Sequence, residues 1–309
     1  MLSIIVPAYN ETELIHKTSL TLSSLMRNNQ IPFEILFVDD GSKDDTWEQI
    51  CKESKKDSCV RGISFSRNFG KESAMFAGLA ESGGDCCVII DCDLQHPPEK
   101  IVEMYGLWVQ GYEIIEGVKN SRGEESSFHA VAAKCFYSLI SSATQIDMSR
   151  SSDFKLLDRK AVNVLLNIPE KNTFFRALSS WIGFKTIEIE YDVKAREIGS
   201  SKWSTSSLIK YAISNITSFT SLPMQIVTLL GCVMFLVAIV LSVNALIQKM
   251  MGLAASGFTT VIILQCLTGS IVMTSLGIMG YYIAKIYEEI KGRPRYIIAK
   301  KVSKEYEDK

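Results

Sequence analysis

Along the N-terminal two thirds of the chain, short apolar runs alternate with stretches of helical spacing. Leu2 to Ala8, Phe33 to Val38, Val60 to Phe65 and Cys86 to Ile90 read as strands, and Leu14 to Met26 as one of the helices between them. That rhythm predicts an α/β domain with a mainly parallel sheet. Ligands of such sheets gather beyond the carboxyl ends of the strands. Tyr9-Asn10-Glu11, Asp39-Asp40-Gly41-Ser42, Arg67-Asn68 and Asp91-Cys92-Asp93 each follow an apolar run, so one shared polar site is expected.

The pattern then changes. Asn120 to Ser127 and Glu197 to Ser207 are polar stretches containing Gly and Ser, which read as loops. Leu208, Ile209, Ala212, Ile213, Ile216 and Phe219 share one helical face just before Pro223. An amphipathic helix lying on a membrane surface is expected there, although an ordinary core-facing helix has the same pattern. No charged residue lies between Lys210 and Lys249, nor between Lys249 and Lys285. Each stretch exceeds the roughly 20 apolar residues that cross a hydrocarbon core. The expected organisation is a cytoplasmic domain at 1–203, an interface helix at 204–222, a transmembrane hairpin at 223–285 with spans at about 224–247 and 259–284, and a basic cytoplasmic tail at 286–309. A buried soluble hairpin is the alternative. Lys285, Lys291, Arg293, Arg295, Lys300 and Lys301 follow the second span, so the positive-inside rule puts both termini and the N-terminal domain of a multi-pass cell-membrane protein in the cytoplasm.

Composition narrows the classes. A formal net charge of -1 argues against a nucleic-acid partner, which selects for basic excess. The eight cysteines show no CxxC spacing and read as reduced, buried thiols rather than a zinc site. The chain enters a strand at once, with no basic and apolar leader, so the domain is expected to stay where it is made. No GxGxxG follows the first strand, which disfavours a dinucleotide-binding oxidoreductase.

Asp91-Cys92-Asp93 carries the chemistry. Two carboxylates at i and i+2 after a buried strand can hold a hard divalent cation against a diphosphate, and Gln95 adds a neutral oxygen. Solvated turn residues look the same when such a pair stands alone. Here Asp39 and Asp40 close an earlier strand of the same sheet. Glu11, Asp39 and Asp40 suit ribose hydroxyls and a base N–H, while Asp40 serves equally well as a turn or cap before Gly41-Ser42.

Val6 to Glu11, Val38 to Ser42, Arg67 to Glu72, Asp91 to Gln95, Asp153 to Arg159, and Arg196 with Gly199 to Trp203 resemble the ordered motifs of family 2 glycosyltransferases. The branch most similar contains dolichol-phosphate mannose synthases and the bactoprenol glucosyltransferases with two C-terminal spans. The resemblance covers nearly the whole chain. It implies a Rossmann-like GT-A fold and inverting transfer of a hexose, glucose foremost with galactose or an N-acetylhexosamine as variants, from a UDP-sugar donor to undecaprenyl (polyprenyl) phosphate. It further implies Asp91, Asp93 and Gln95 around Mg2+ or Mn2+, Pro7, Tyr9, Glu11 and Asp39 around the nucleoside, and Asp153 as the catalytic carboxylate beside Asp93.

A phosphate acceptor is already anionic, so Asp153 is either a base or a group that orients a substrate. Arg67, Lys71, Arg196 and Lys202 are candidates for holding donor or acceptor phosphates; Lys71 reads equally as an exposed charge opening a helix. After Arg122 the chain departs from the family, with Phe128-His129-Ala130-Val131 ahead of Lys134 and Phe136-Tyr137 where several basic residues are usual. Arg122, His129 and Lys134 are therefore acceptor-phosphate contacts or plain surface. A processive polysaccharide synthase would need a QxxRW motif and more spans; a non-catalytic or partner-dependent membrane subunit would lack the carboxylates. Small residues in the second span suit a homo-oligomer or packing within the hairpin. A lipid bilayer, a separate flippase and a downstream transferase complete the expected partners.

Overall fold

The computed structural model describes residues 1–119, 152–170, 174–192, 222–251 and 257–303. The chain divides into two units, one of Met1–Ser207 with Arg293–Lys309 and one of Leu208–Gly292.

The first unit opens with β1 (Leu2–Ala8), α1 (Thr12–Asn28), β2 (Phe33–Asp39), α2 (Thr46–Lys56), β3 (Val60–Phe65), α3 (Lys71–Glu81) and β4 (Cys86–Ile89). It continues with α4 (Glu99–Val109), β5 (Ile114–Lys119), β6 (Lys155–Asp158), α5 (Arg159–Asn167), α6 (Phe175–Trp181), β7 (Thr186–Tyr191) and, after the second unit, β8 (Ile298–Val302). One eight-stranded sheet has the order β7-β5-β6-β4-β1-β2-β3-β8. The strands of its centre are buried on both faces: Leu2, Ile4, Ile5, Val6, Ile35, Leu36, Phe37 and Val38 are wholly inaccessible. Continuous apolar runs of this kind mark strands covered by helices on both sides, and each fully buried Leu, Ile or Val contributes about 1.5–3 kcal/mol. α3 lies close on β1 because Gly78 has no side chain; a Cβ there would stand 2.2 Å from Cγ2 of Ile5.

The sheet is more mixed than the sequence pattern predicts. β1 pairs in parallel with β2 and β4, β2 with β3, and β5 with β7. β6 runs antiparallel between β4 and β5, and β8 runs antiparallel to β3. The antiparallel course of β6 matters for function. It brings the N-terminal end of β6, with Asp153 just before it, to the edge where β1, β2, β3 and β4 end. β8 lies within the expected basic tail at 286–309. Ile298–Val302 is an edge strand whose Lys301 reaches Glu81 at 2.6 Å, and alternation along so short a basic segment is too weak to reveal it.

In the second unit α7 (Leu222–Met250) and α8 (Phe258–Ile290) pack on each other. Both are long and apolar enough to cross a membrane, over Met224–Leu241 and Leu267–Ile290, and neither stretch is buried within the protein. At 29 and 33 residues the helices reach about 43 and 50 Å, more than the roughly 30 Å hydrocarbon core. The expected interface helix lies, Leu222 apart, outside the described residues.

Candidate active site

The loops after β1, β2, β3 and β4 meet at one edge of the sheet. Asn10, in the left-handed region at φ 54°, donates its N–H to Ser42 Oγ (2.9 Å) and accepts from the N–H of Lys43 (2.9 Å). The N–H of Glu11 donates to Thr46 Oγ1 at 2.9 Å, so the β1 and β2 loops are stitched together. Gly41, at φ +66°, packs against the backbone of Arg67, where a Cβ would come within 2.4 Å.

Asp39 and Asp40 hold this scaffold. Asp39 accepts from Ser42 N (3.0 Å) and Ser64 Oγ (2.7 Å). Asp40 accepts from the N–H groups of Phe69 (2.7 Å) and Gly70 (2.9 Å), fixing the loop that opens α3. The turn role expected of Asp40 at Gly41-Ser42 thus falls to Asp39, while Asp40 reaches across to the next loop. Burial raises the Asp40 pKa, and the two N–H donors pull against it.

A cavity of about 390 Å3 opens here, with Pro7, Tyr9, Glu11, Asn68, Lys71, Asp91 and Asp93 among its lining. That volume lies within the range of small-ligand sites. The Asp91-Cys92-Asp93 loop is held by Thr18 Oγ1 of α1, which donates to the carbonyl of Cys92 at 2.7 Å, and turns through Leu94 at φ 52°. Asp93 accepts from the N–H of Gln95 at 3.2 Å. Asp40 also lines the cavity; Asp39 and Gln95 do not.

Lys71, an exposed helix-opening charge on one sequence reading, bridges two carboxylates. Its Nζ lies 2.7 Å from Asp91 Oδ1 and 3.0 Å from Asp153 Oδ2. Arg176 of α6 grips the same Asp153 with two bonds, Nε to Oδ1 at 2.7 Å and Nη2 to Oδ2 at 3.0 Å. Burial works to raise the Asp153 pKa, but Lys71 and Arg176 outweigh it and hold the carboxyl well below the usual range. Burial opposes the charge of Lys71 as well, and Asp153 and Asp91 overcome it, so its pKa is raised. Glu72 goes the other way. Burial and the nearby charge of Asp153 push it up to about 8, while it accepts from the N–H of Phe175 at 2.9 Å.

His96 stacks on Phe154 (5.0 Å between ring centres) and meets Tyr191 edge-on (5.5 Å). Burial lowers its pKa, so the neutral imidazole is a packing piece that ties the Asp91 loop to the residue following Asp153. The structure therefore brings Pro7, Tyr9, Glu11, Asp40, Asp91, Asp93 and Asp153 together around Lys71. Arg67 lies in the same loop cluster, its guanidinium 4.3 Å from the centre of the Phe69 ring. Arg122, His129, Lys134, Arg196 and Lys202 lie outside the described residues. Sequence reasoning missed Arg176 and His96. His96 adjoins Gln95 in a motif already singled out, whereas Arg176 sits in an ordinary amphipathic stretch with no local signal.

A Rossmann-like half-sheet extended by an antiparallel strand, with paired carboxylates at the rim of a cavity of small-ligand size, is the GT-A arrangement of sugar transferases. The chain belongs to glycosyl transferase family 2, whose model matches residues 3–166. It is 38% identical over 96% of its length to the uncharacterized glycosyltransferase YkcC of Bacillus subtilis, covering 93% of that protein. A prophage bactoprenol glucosyl transferase homolog of Escherichia coli K12 is 34% identical over 98% of this chain and 99% of its own. The bactoprenol glucosyl transferase of Shigella phage SfII is 32% identical over 97% of each. Among solved structures, mannosyl-3-phosphoglycerate synthase from Rubrobacter xylanophilus superposes with a TM-score of 0.50 at 15% identity, covering 71% of this chain and 72% of the other, a likeness of fold.

Proposed function

We propose that this protein transfers a hexose, glucose foremost, from a UDP-sugar to undecaprenyl phosphate at the cytoplasmic face of a membrane. The observation that carries this reading is the full-length similarity to proteins named bactoprenol glucosyl transferases, which extends through both apolar helices. Chain connectivity supports the topology: the sequence leaves the first unit after Ser207 and re-enters it at Arg293, and two membrane crossings return a chain to the side it left.

The donor set suits a hard divalent cation. Among the described residues no cluster of three His, Cys, Asp or Glu could cage a metal alone, but Asp91 and Asp93 at the cavity rim offer carboxylate oxygens that a diphosphate would complete. Asp91 and Asp93 would hold Mg2+ or Mn2+, with the amide of Gln95 as the further oxygen of the family pattern. The ion's contribution when bound is to offset charge developing on the departing nucleoside diphosphate.

The chain's own residues do the rest. Pro7, Tyr9 and Glu11 line the cavity and would take the nucleotide, and Asp40 holds the Phe69–Gly70 loop beside it. Lys71 offers a cation between two anionic substrates, offsetting their repulsion. Asp153 orients rather than deprotonates, since a carboxyl whose pKa is held so low is a poor proton acceptor.

The test is transfer of labelled sugar from a panel of UDP- and GDP-sugars to undecaprenyl phosphate by the purified full chain, with and without EDTA and beside Asp93→Asn. Product from one UDP-sugar, lost with EDTA and in Asp93→Asn, is expected. No product from any donor by folded protein with added Mg2+ or Mn2+ would instead favour the partner-dependent subunit.

A further inference from the structure

Asp153 meets two cations of different character. Lys71 is a single ammonium on a flexible stem, 42% exposed and shared with Asp91. Arg176 presents a planar fork to both oxygens of Asp153. The backbone under that fork is pinned on two sides. Before it, the N–H of Phe175 donates to Glu72. Behind it, the carbonyl of Arg176 accepts from Ser179 Oγ at 3.1 Å and Ser180 Oγ at 3.0 Å. Ser179 is in turn held by Lys155 Nζ at 2.8 Å, and that wholly buried ammonium pairs with Glu116 at 3.1 Å. A buried charge pair normally costs stability relative to apolar packing. Here it anchors the helix that carries Arg176 to β6, the strand that Asp153 precedes.

An anionic donor entering the cavity competes with Asp91 and Asp153 for the ammonium of Lys71, whereas the fork of Arg176 is bound through two nitrogens to both oxygens of Asp153 and would lose both bonds by following. We propose that Arg176 is a positioning residue for sugar transfer, keeping the Asp153 carboxylate in one orientation when Lys71 turns toward the substrate. This rests on the proposed transfer reaction and adds to it the group through which Asp153 is held. Bidentate grip by a guanidinium fixes both oxygens in a plane, which an ammonium does not.

The experiment is steady-state transfer to undecaprenyl phosphate by wild type, Arg176→Ala, Arg176→Lys and the Arg176→Ala/Asp153→Ala pair, with thermal unfolding of each. Arg176→Ala is expected to lower kcat by about 100-fold, the loss typical of a misplaced reacting group, with donor KM changed by less than about threefold. Arg176→Lys recovers only part of this, and added ethylguanidinium restores activity to Arg176→Ala but not to the double variant. The proposal is overturned if Arg176→Ala keeps kcat within about twofold. It is equally overturned if the loss follows unfolding and ethylguanidinium restores nothing. Absence of transfer by wild type would sink the functional reading itself, a result distinct from wild-type activity with an unaffected Arg176→Ala.

Discussion

Asp39 and Asp40 at the end of β2, and Asp91 with Asp153 around the end of β4, are the same residue type at the same edge of one sheet. Their oxygens meet different partners. The β2 pair accepts from neutral donors that belong to the scaffold: Ser42 N, Ser64 Oγ, Phe69 N and Gly70 N. The β4 group faces the cations Lys71 and Arg176. Neutral backbone donors cannot leave without unmaking a loop, whereas an ammonium on a flexible stem can be exchanged for another cation or drawn toward an anion. One cluster builds the site and the other is available to substrates.

The largest effect that would sharpen this contrast is on activity. Asp93→Asn should lower sugar transfer by about 100-fold or more with little change in thermal unfolding, because the lost charge acts on the transition state rather than the fold. A large fall in melting temperature would instead make the β4 carboxylates scaffold, like their β2 counterparts.

The next effect lies in pH dependence. Glu72, pushed up to about 8 from an ordinary 4.5, keeps its proton in the folded protein over a range where the unfolded chain releases it. Its contribution to stability is therefore complete below about 4.5 and is lost as pH rises through about 8. Glu72→Gln, which keeps an acceptor for Phe175, should unfold like wild type at pH 5 and at higher temperature than wild type at pH 9. Equal melting at both values would remove the crowding of negative charge inferred beside Asp153.

Asp40→Ala comes third. It leaves two backbone N–H groups without their acceptor, which costs about 2 kcal/mol after partial rescue by water. Chemical denaturation should show that loss. Full stability with abolished nucleotide binding would mean that Asp40 contacts the donor directly. The smallest expected change is in Ser64→Ala, at about 1 kcal/mol, since Asp39 keeps its bond from Ser42 N.

Much of this could be read before any coordinates. The strands at Leu2–Ala8 and Val60–Phe65 match the apolar runs residue for residue, and the polar clusters after the first four strands do converge. Burial on both faces writes an unbroken apolar run, and a strand end must turn, so both features leave local marks. The edge strand Ile298–Val302 left almost none. Its half-exposed, lysine-bearing face reads as a solvated tail until β3 is known to be its neighbour.

The sequence by itself determined the fold class, the two apolar helices and the Asp91-Cys92-Asp93 motif, because each is a property of residues within a few positions of one another. Only the tertiary structure decided which charges meet. Lys71 reaches Asp153 across 82 positions, and Arg176 reaches it across 23, through a strand inserted antiparallel between β4 and β5. No periodicity encodes such pairings. They follow from strand order, which is settled by burial over the whole sheet, and the chemistry of the carboxylates is settled with it.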